Sequence, residues 1–164
     1  MMSDRFKKIF LGLSISLPFL LYCVYYYSVM VKNAPYKFAE FENITLKAGL
    51  GNQYDKTFSS KTMQYQYVNQ RDSVIKMKVK ISKDDLLYLH RKASELGFWN
   101  WPTEMIGDKT GKSARYFIEF DYQRKSKSIT IDAAYNANDK LKDAALELVK
   151  TVDKAIEDTA DRQN

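Results

Sequence analysis

The chain has 164 residues, 45% of them hydrophobic and 28% charged, a balance that excludes a disordered tail and a many-helix membrane protein. Its formal net charge of +6 permits attraction to anionic lipid, wall polymer or an acidic protein, but the dense Arg/Lys stripe of a nucleic-acid binder is missing. The single cysteine, Cys23, lies in an apolar N-terminal run, so the rest of the chain has no disulfide and no thiolate metal ligand.

A short basic leader, residues 1–8, carries Arg5, Lys7 and Lys8 against Asp4. From Ile9 to Val31 no charge occurs. As a helix this run extends roughly 34 Å, enough for a hydrocarbon core of about 30 Å. The basic flank predicts a cytoplasmic N-terminus and an exported remainder, with Tyr25, Tyr26 and Tyr27 at headgroup level. A cleaved signal peptide wants small residues before the cut, and the three tyrosines, Lys32 and Pro35 spoil the candidates. A lipoprotein signal is disfavoured by Tyr22 before Cys23, and a buried core helix by the absence of a polar face. Residues 9–31 therefore read as an uncleaved single-pass anchor in the inner membrane, followed by a tether over 32–38.

An extracytoplasmic domain is expected over 39–160, with 161–164 as a tail. Phe41, Ile44 and Leu46 predict a first strand that ends at the glycine-rich turn 48–55. Two alternating runs follow as a hairpin. In the first, Met63, Tyr65 and Tyr67 share a face against Gln64 and Gln66. In the second, Ile75, Met77, Val79 and Ile81 face inward and Lys76, Lys78 and Lys80 outward. Ser82, with Asp85 three residues on, predicts a helix N-terminus, and Gly97 its left-handed end; Leu86, Leu89, Ala93 and Leu96 form its apolar face. A second hairpin places Tyr116, Ile118, Phe120 and Tyr122 opposite Arg115, Glu119 and Asp121. A long helix capped by Asn138 closes the chain, with Leu141, Ala145, Leu148, Val152 and Ile156 as its buried stripe. The expected fold is α+β: a β-ββ-α-ββ-α order, mostly antiparallel, with two helices over one face of the sheet.

The loop Gly107–Ser113 ends in Gly111-Lys112-Ser113, the closing letters of a P-loop. Only three residues separate Gly107 from Gly111 where four are needed, and the loop runs into a strand where a P-loop enters a helix. No nucleotide is expected there. His90 has no carboxylate at helical spacing and reads as a boundary histidine; with no second histidine and no exported cysteine, no metal or other cofactor is expected. Asp121 and Asp132 sit on adjacent predicted strands, with Glu119 beside Asp121, and would be the acids of a hydrolase. The stronger reading is that these acids and Lys76, Lys78 and Lys80 make a solvated cross-strand lattice, with the lysine row as an anion-docking surface the alternative. Asn43 opens an Asn-Ile-Thr glycosylation acceptor, which matters only in a eukaryotic secretory pathway.

The most distinctive surface candidate is Gly97–Pro102, where Trp99 and Trp101 alternate. Tryptophans at a helix end commonly cap the core, whereas an exposed one beside a loop makes a binding hot spot. These residues give a binding site of Trp99, Trp101, Lys109, Lys112, Lys76, Lys78 and Lys80, and no catalytic residue. The functional expectation is a non-enzymatic, membrane-anchored, periplasm-facing interaction protein with a protein partner in the bacterial envelope. It would serve as an immunity or inhibitor protein or as an accessory subunit of a complex. The rivals are an envelope hydrolase using Asp and Glu, and a purely structural tether.

Overall fold

The computed structural model describes residues 4–32 and 36–163, which fall into two units, one ending at residue 35 and one running from Tyr36 onward. The first is a single helix, α1 (Asp4–Lys32), with Pro18 inside it. From Arg5 to Tyr27 it is long and apolar enough to cross a membrane, and none of that stretch is buried.

The second unit is a seven-stranded sheet with two helices: β1 (Phe41–Leu50), β2 (Gln53–Ser59), β3 (Gln64–Val68), β4 (Val74–Lys78), α2 (Lys83–Leu96), β5 (Glu104–Met105), β6 (Ala114–Tyr122), β7 (Ser126–Asp132) and α3 (Asp139–Gln163). The spatial order is β4-β3-β2-β1-β6-β7-β5. All neighbours are antiparallel except β5 and β7. One core, built from Ile44, Leu46, Phe58, Ile118, Phe120, Ile129 and Ile131 of the sheet, meets Leu89 and Ala93 of α2 and Leu148, Val152 and Ile156 of α3. The α+β architecture is as expected, with two strands added to the expected order.

The chain does not stop at the glycine-rich stretch: β1 runs through Gly49 to Leu50, and a two-residue turn, Gly51-Asn52, leads straight into β2. Gly51 has φ +55, and an added Cβ would lie 2.3 Å from the Gly111 carbonyl oxygen, so only glycine fits this turn. β2 escapes sequence reading because its inward positions are Lys56 and Phe58, with a lysine where an apolar residue belongs, and because a bulge opposite Ala48 and Gly49 interrupts its alternation at Asp55. Lys56 is tolerated there because Asp153 (2.5 Å) and Glu157 (2.8 Å) of α3 meet its Nζ, holding its pKa above the usual lysine range despite burial. β5 is two residues long, too short for any periodicity. A third correction concerns Met63, which does not share a face with Tyr65 and Tyr67. It occupies the β2–β3 turn with φ 56 and is exposed.

The caps form where the residues placed them. Ser82 Oγ accepts from Asp85 N–H, Gly97 ends α2 at φ 84, and Asn138 Oδ1 accepts from Leu141 N–H.

Candidate functional site

The β5–β6 loop is built around two carboxylates. Asp132, fully buried at the end of β7, accepts N–H bonds from Gly107, Asp108 and Ala134 at 2.9–3.1 Å, with the Arg115 guanidinium 3.8 Å away. Asp108 in turn accepts from the backbone of Thr110, Lys112 and Ser113 and from the Thr110 hydroxyl. That hydroxyl, followed by the backbone donors, holds the Asp108 pKa well below the usual carboxylate range. The N–H groups of Lys112 and Ser113, which a phosphate would need, are thus bonded to an internal carboxylate. Lys109 and Lys112 project into solvent from this knot.

The two tryptophans belong elsewhere. Trp101 is only 8% exposed, edge-on to Phe98 at 5.6 Å, and Lys127 Nζ donates to its carbonyl. Trp99 is half-buried, stacked on Tyr36 at 4.2 Å and edge-on to Phe120 and Tyr122. Tyr36 is pinned from its other side by Lys125 Nζ, 3.9 Å from the ring centroid. Neither tryptophan is the outward-pointing anchor that the alternation allowed. Both are drawn into a cluster of Phe38, Phe41, Phe98, Phe120 and Tyr122, where large rings bury the most area. Trp99 packs at the Tyr122 end of β6 and the lysine loop precedes the Ala114 end, about 27 Å away along an extended strand. The expected single loop surface is therefore two separate places.

His90 is buried in the same cluster, its Nδ1 2.7 Å from the Tyr122 hydroxyl. Burial holds the histidine pKa low, aided by the Arg91 charge, and pushes the tyrosine pKa far up. Neutral imidazole accepting from a protonated phenol satisfies both. Because the folded state binds the His90 proton less readily than the unfolded chain does, stability should fall as pH drops below about 6.5. Thermal unfolding of the full chain between pH 7.5 and 5 should show this fall, and His90→Gln should flatten it.

Lys76 and Lys78 are exposed on edge strand β4, and Lys80 lies just beyond it, its backbone bonded to the Gln163 side chain. Of the acids offered as lattice partners, Glu119 and Asp121 are on β6, with β3, β2 and β1 in between, roughly 19 Å away at usual strand spacing, and Asp132 is on β7, one strand farther. No lattice forms. Nor do Asp121 and Asp132 converge: Asp121 pairs with Ser126 at one end of the β6–β7 hairpin and Asp132 with Arg115 at the other. Asp121 accepts from the Asn43 amide, while Glu119 beside it has a pKa raised by burial and by Asp121. Among the described residues, no three His, Cys, Asp or Glu side chains gather where they could hold a metal ion. Asn43 is 9% exposed, and its amide oxygen accepts from Ser59, Ser60 and Lys61, which leaves the glycosylation acceptor out of reach.

The structure does assemble a surface that periodicity outlined only in part. The sheet face away from α2 and α3 carries, in register across six strands, Lys76, Gln66, Thr57, Lys47, Phe117 and Thr130. Beside this row runs Lys78, Gln64, Ser59, Thr45, Glu119 and Ser128. Lys47 Nζ lies 5.2 Å over the Phe117 ring. A shallow hollow of about 370 Å³ opens among Thr57, Gln64, Gln66, Lys76 and Lys78. The signal for this face was present in the alternation of each strand, but the missing β2 hid how the rows join.

No protein-family model matches the chain, and no curated protein matches it in sequence.

Proposed function

We propose that the chain is a membrane-anchored binding protein, without catalysis of its own, that meets a protein partner through the uncovered face of its sheet. The observation that carries this reading is that face itself: two polar rows spanning six strands, with Lys47, Lys76 and Lys78 and a half-buried Phe117 among short hydroxyl and amide side chains. Its short or stiff members, Thr45, Thr57, Ser59, Phe117, Ser128 and Thr130, lose little side-chain entropy on docking. Its lysines suit an acidic patch and would speed encounter.

Anchorage through α1 keeps the domain at a membrane, and Arg5, Lys7 and Lys8 favour a cytoplasmic N-terminus and a periplasmic domain. Within that setting the domain would neutralise a toxin acting at the envelope or serve as an accessory subunit of an envelope complex. A compartment-sensitive reporter on the C-terminus should be active outside the cytoplasm; activity inside would remove the periplasmic reading.

The binding test is a double charge reversal, Lys76→Glu with Lys78→Glu, in the full-length protein in its native membrane. Both residues are exposed, so stability should stay within about 0.5 kcal/mol. Recovery of the partner after mild crosslinking should drop about tenfold. Unchanged recovery would take the β4 half of the face out of the account.

A further inference from the structure

On the helix side of the sheet, where β2, β3 and β4 pass beyond the cover of α3, lies a hollow of about 450 Å³. Tyr65, Tyr67, Met77 and Ala160 line its apolar part, and Asp55, Glu157 and Asp161 its charged part, together with Lys56. The two tyrosine rings stand 5.2 Å apart at 32°. Lys56 is already neutralised by Asp153 and Glu157. Asp55 and Asp161 take part in no ion pair among the described residues.

We infer that this hollow is a binding site for an alkylguanidinium or alkylammonium group, seated on Tyr67 and Met77 with its charge between Asp55 and Asp161. Three features point to a cation in a protein whose net charge is positive. The carboxylates outnumber the lysine, two of them lack a partner, and tyrosine faces attract cations. One of those rings already does so: Lys56 Nζ lies 5.7 Å from the Tyr65 ring centroid. Met77 supplies a polarisable wall for the alkyl stem. The site lies on the opposite side of the β3–β4 hairpin from the lysines of the uncovered face, so it stands or falls separately from the docking reading.

The test uses the full chain in non-ionic detergent, with the Met77 methyl signal followed by NMR. Agmatine should shift that signal saturably, and n-pentanol, of similar stem length but uncharged, should leave it in place at the same concentrations. Asp161→Lys, a change at an exposed residue, should weaken agmatine binding about tenfold, equivalent to about 1.4 kcal/mol. Lys76→Glu, on the far face, should not change it. A blocked Gly-Arg-Gly peptide forms the second arm: saturation below the agmatine range assigns the site to a protein-borne arginine, and saturation only above it to a small free guanidine. No saturable shift with either cation would overturn the inference, as would equal shifts with n-pentanol or indifference to Asp161→Lys.

Discussion

Replacing Asp132 with alanine should cost the domain about 3–5 kcal/mol, the range for breaking a buried charge pair by removing one partner. The carboxylate is fully buried and gathers three backbone N–H groups, so its loss strands all three at once. It also leaves Arg115, 8% exposed, without the charge that offsets its burial. Each stranded donor carries its own desolvation penalty. Denaturant unfolding of the full chain checks the magnitude, and limited trypsin digestion checks the mechanism, because Lys109 and Lys112 sit in the loop that Asp132 ties down. A loss under about 1 kcal/mol with no new cleavage there would show that the loop holds itself.

Trp101→Ala should be comparably severe, about 3–5 kcal/mol by the usual cost of truncating a buried aromatic. The side chain is packed edge-on against Phe98, which is itself fully buried, so the void opens inside the core. Any partner lost from this variant should be lost in proportion to the unfolded fraction, measured by circular dichroism on the same sample. A stable variant with defective capture would instead return Trp101 to the binding surface.

Sequence periodicity was enough for the elements whose faces are chemically pure. The Lys76-Met77-Lys78 alternation, the Ser82 and Asn138 caps and the Gly97 stop all take the positions their side chains dictate. It failed where a partner distant in sequence licenses an exception. Lys56 breaks the alternation of β2 and is acceptable only because α3 brings Asp153 and Glu157 to it. Arg115 does lie opposite the apolar row of β6, but Asp132, Asn52 and the Asp108 carbonyl bury it there. The candidate site suffered most from strand order. Nothing in the chain before folding says that three strands separate Lys76 from Glu119, or that the tryptophans and the Lys109–Lys112 loop belong to opposite ends of β6. What remained legible was the outward row of β4, which forms one margin of the uncovered face.

The docking claim is tested most directly by position-specific photocrosslinking in the native membrane. A benzophenone side chain placed at Thr57 or at Gln66 samples the middle of the uncovered face, while one at exposed Lys150 samples the outer side of α3. The account predicts a single protein adduct from each sheet position and none from Lys150. An adduct from Lys150 alone, or silence at both sheet positions, would contradict it.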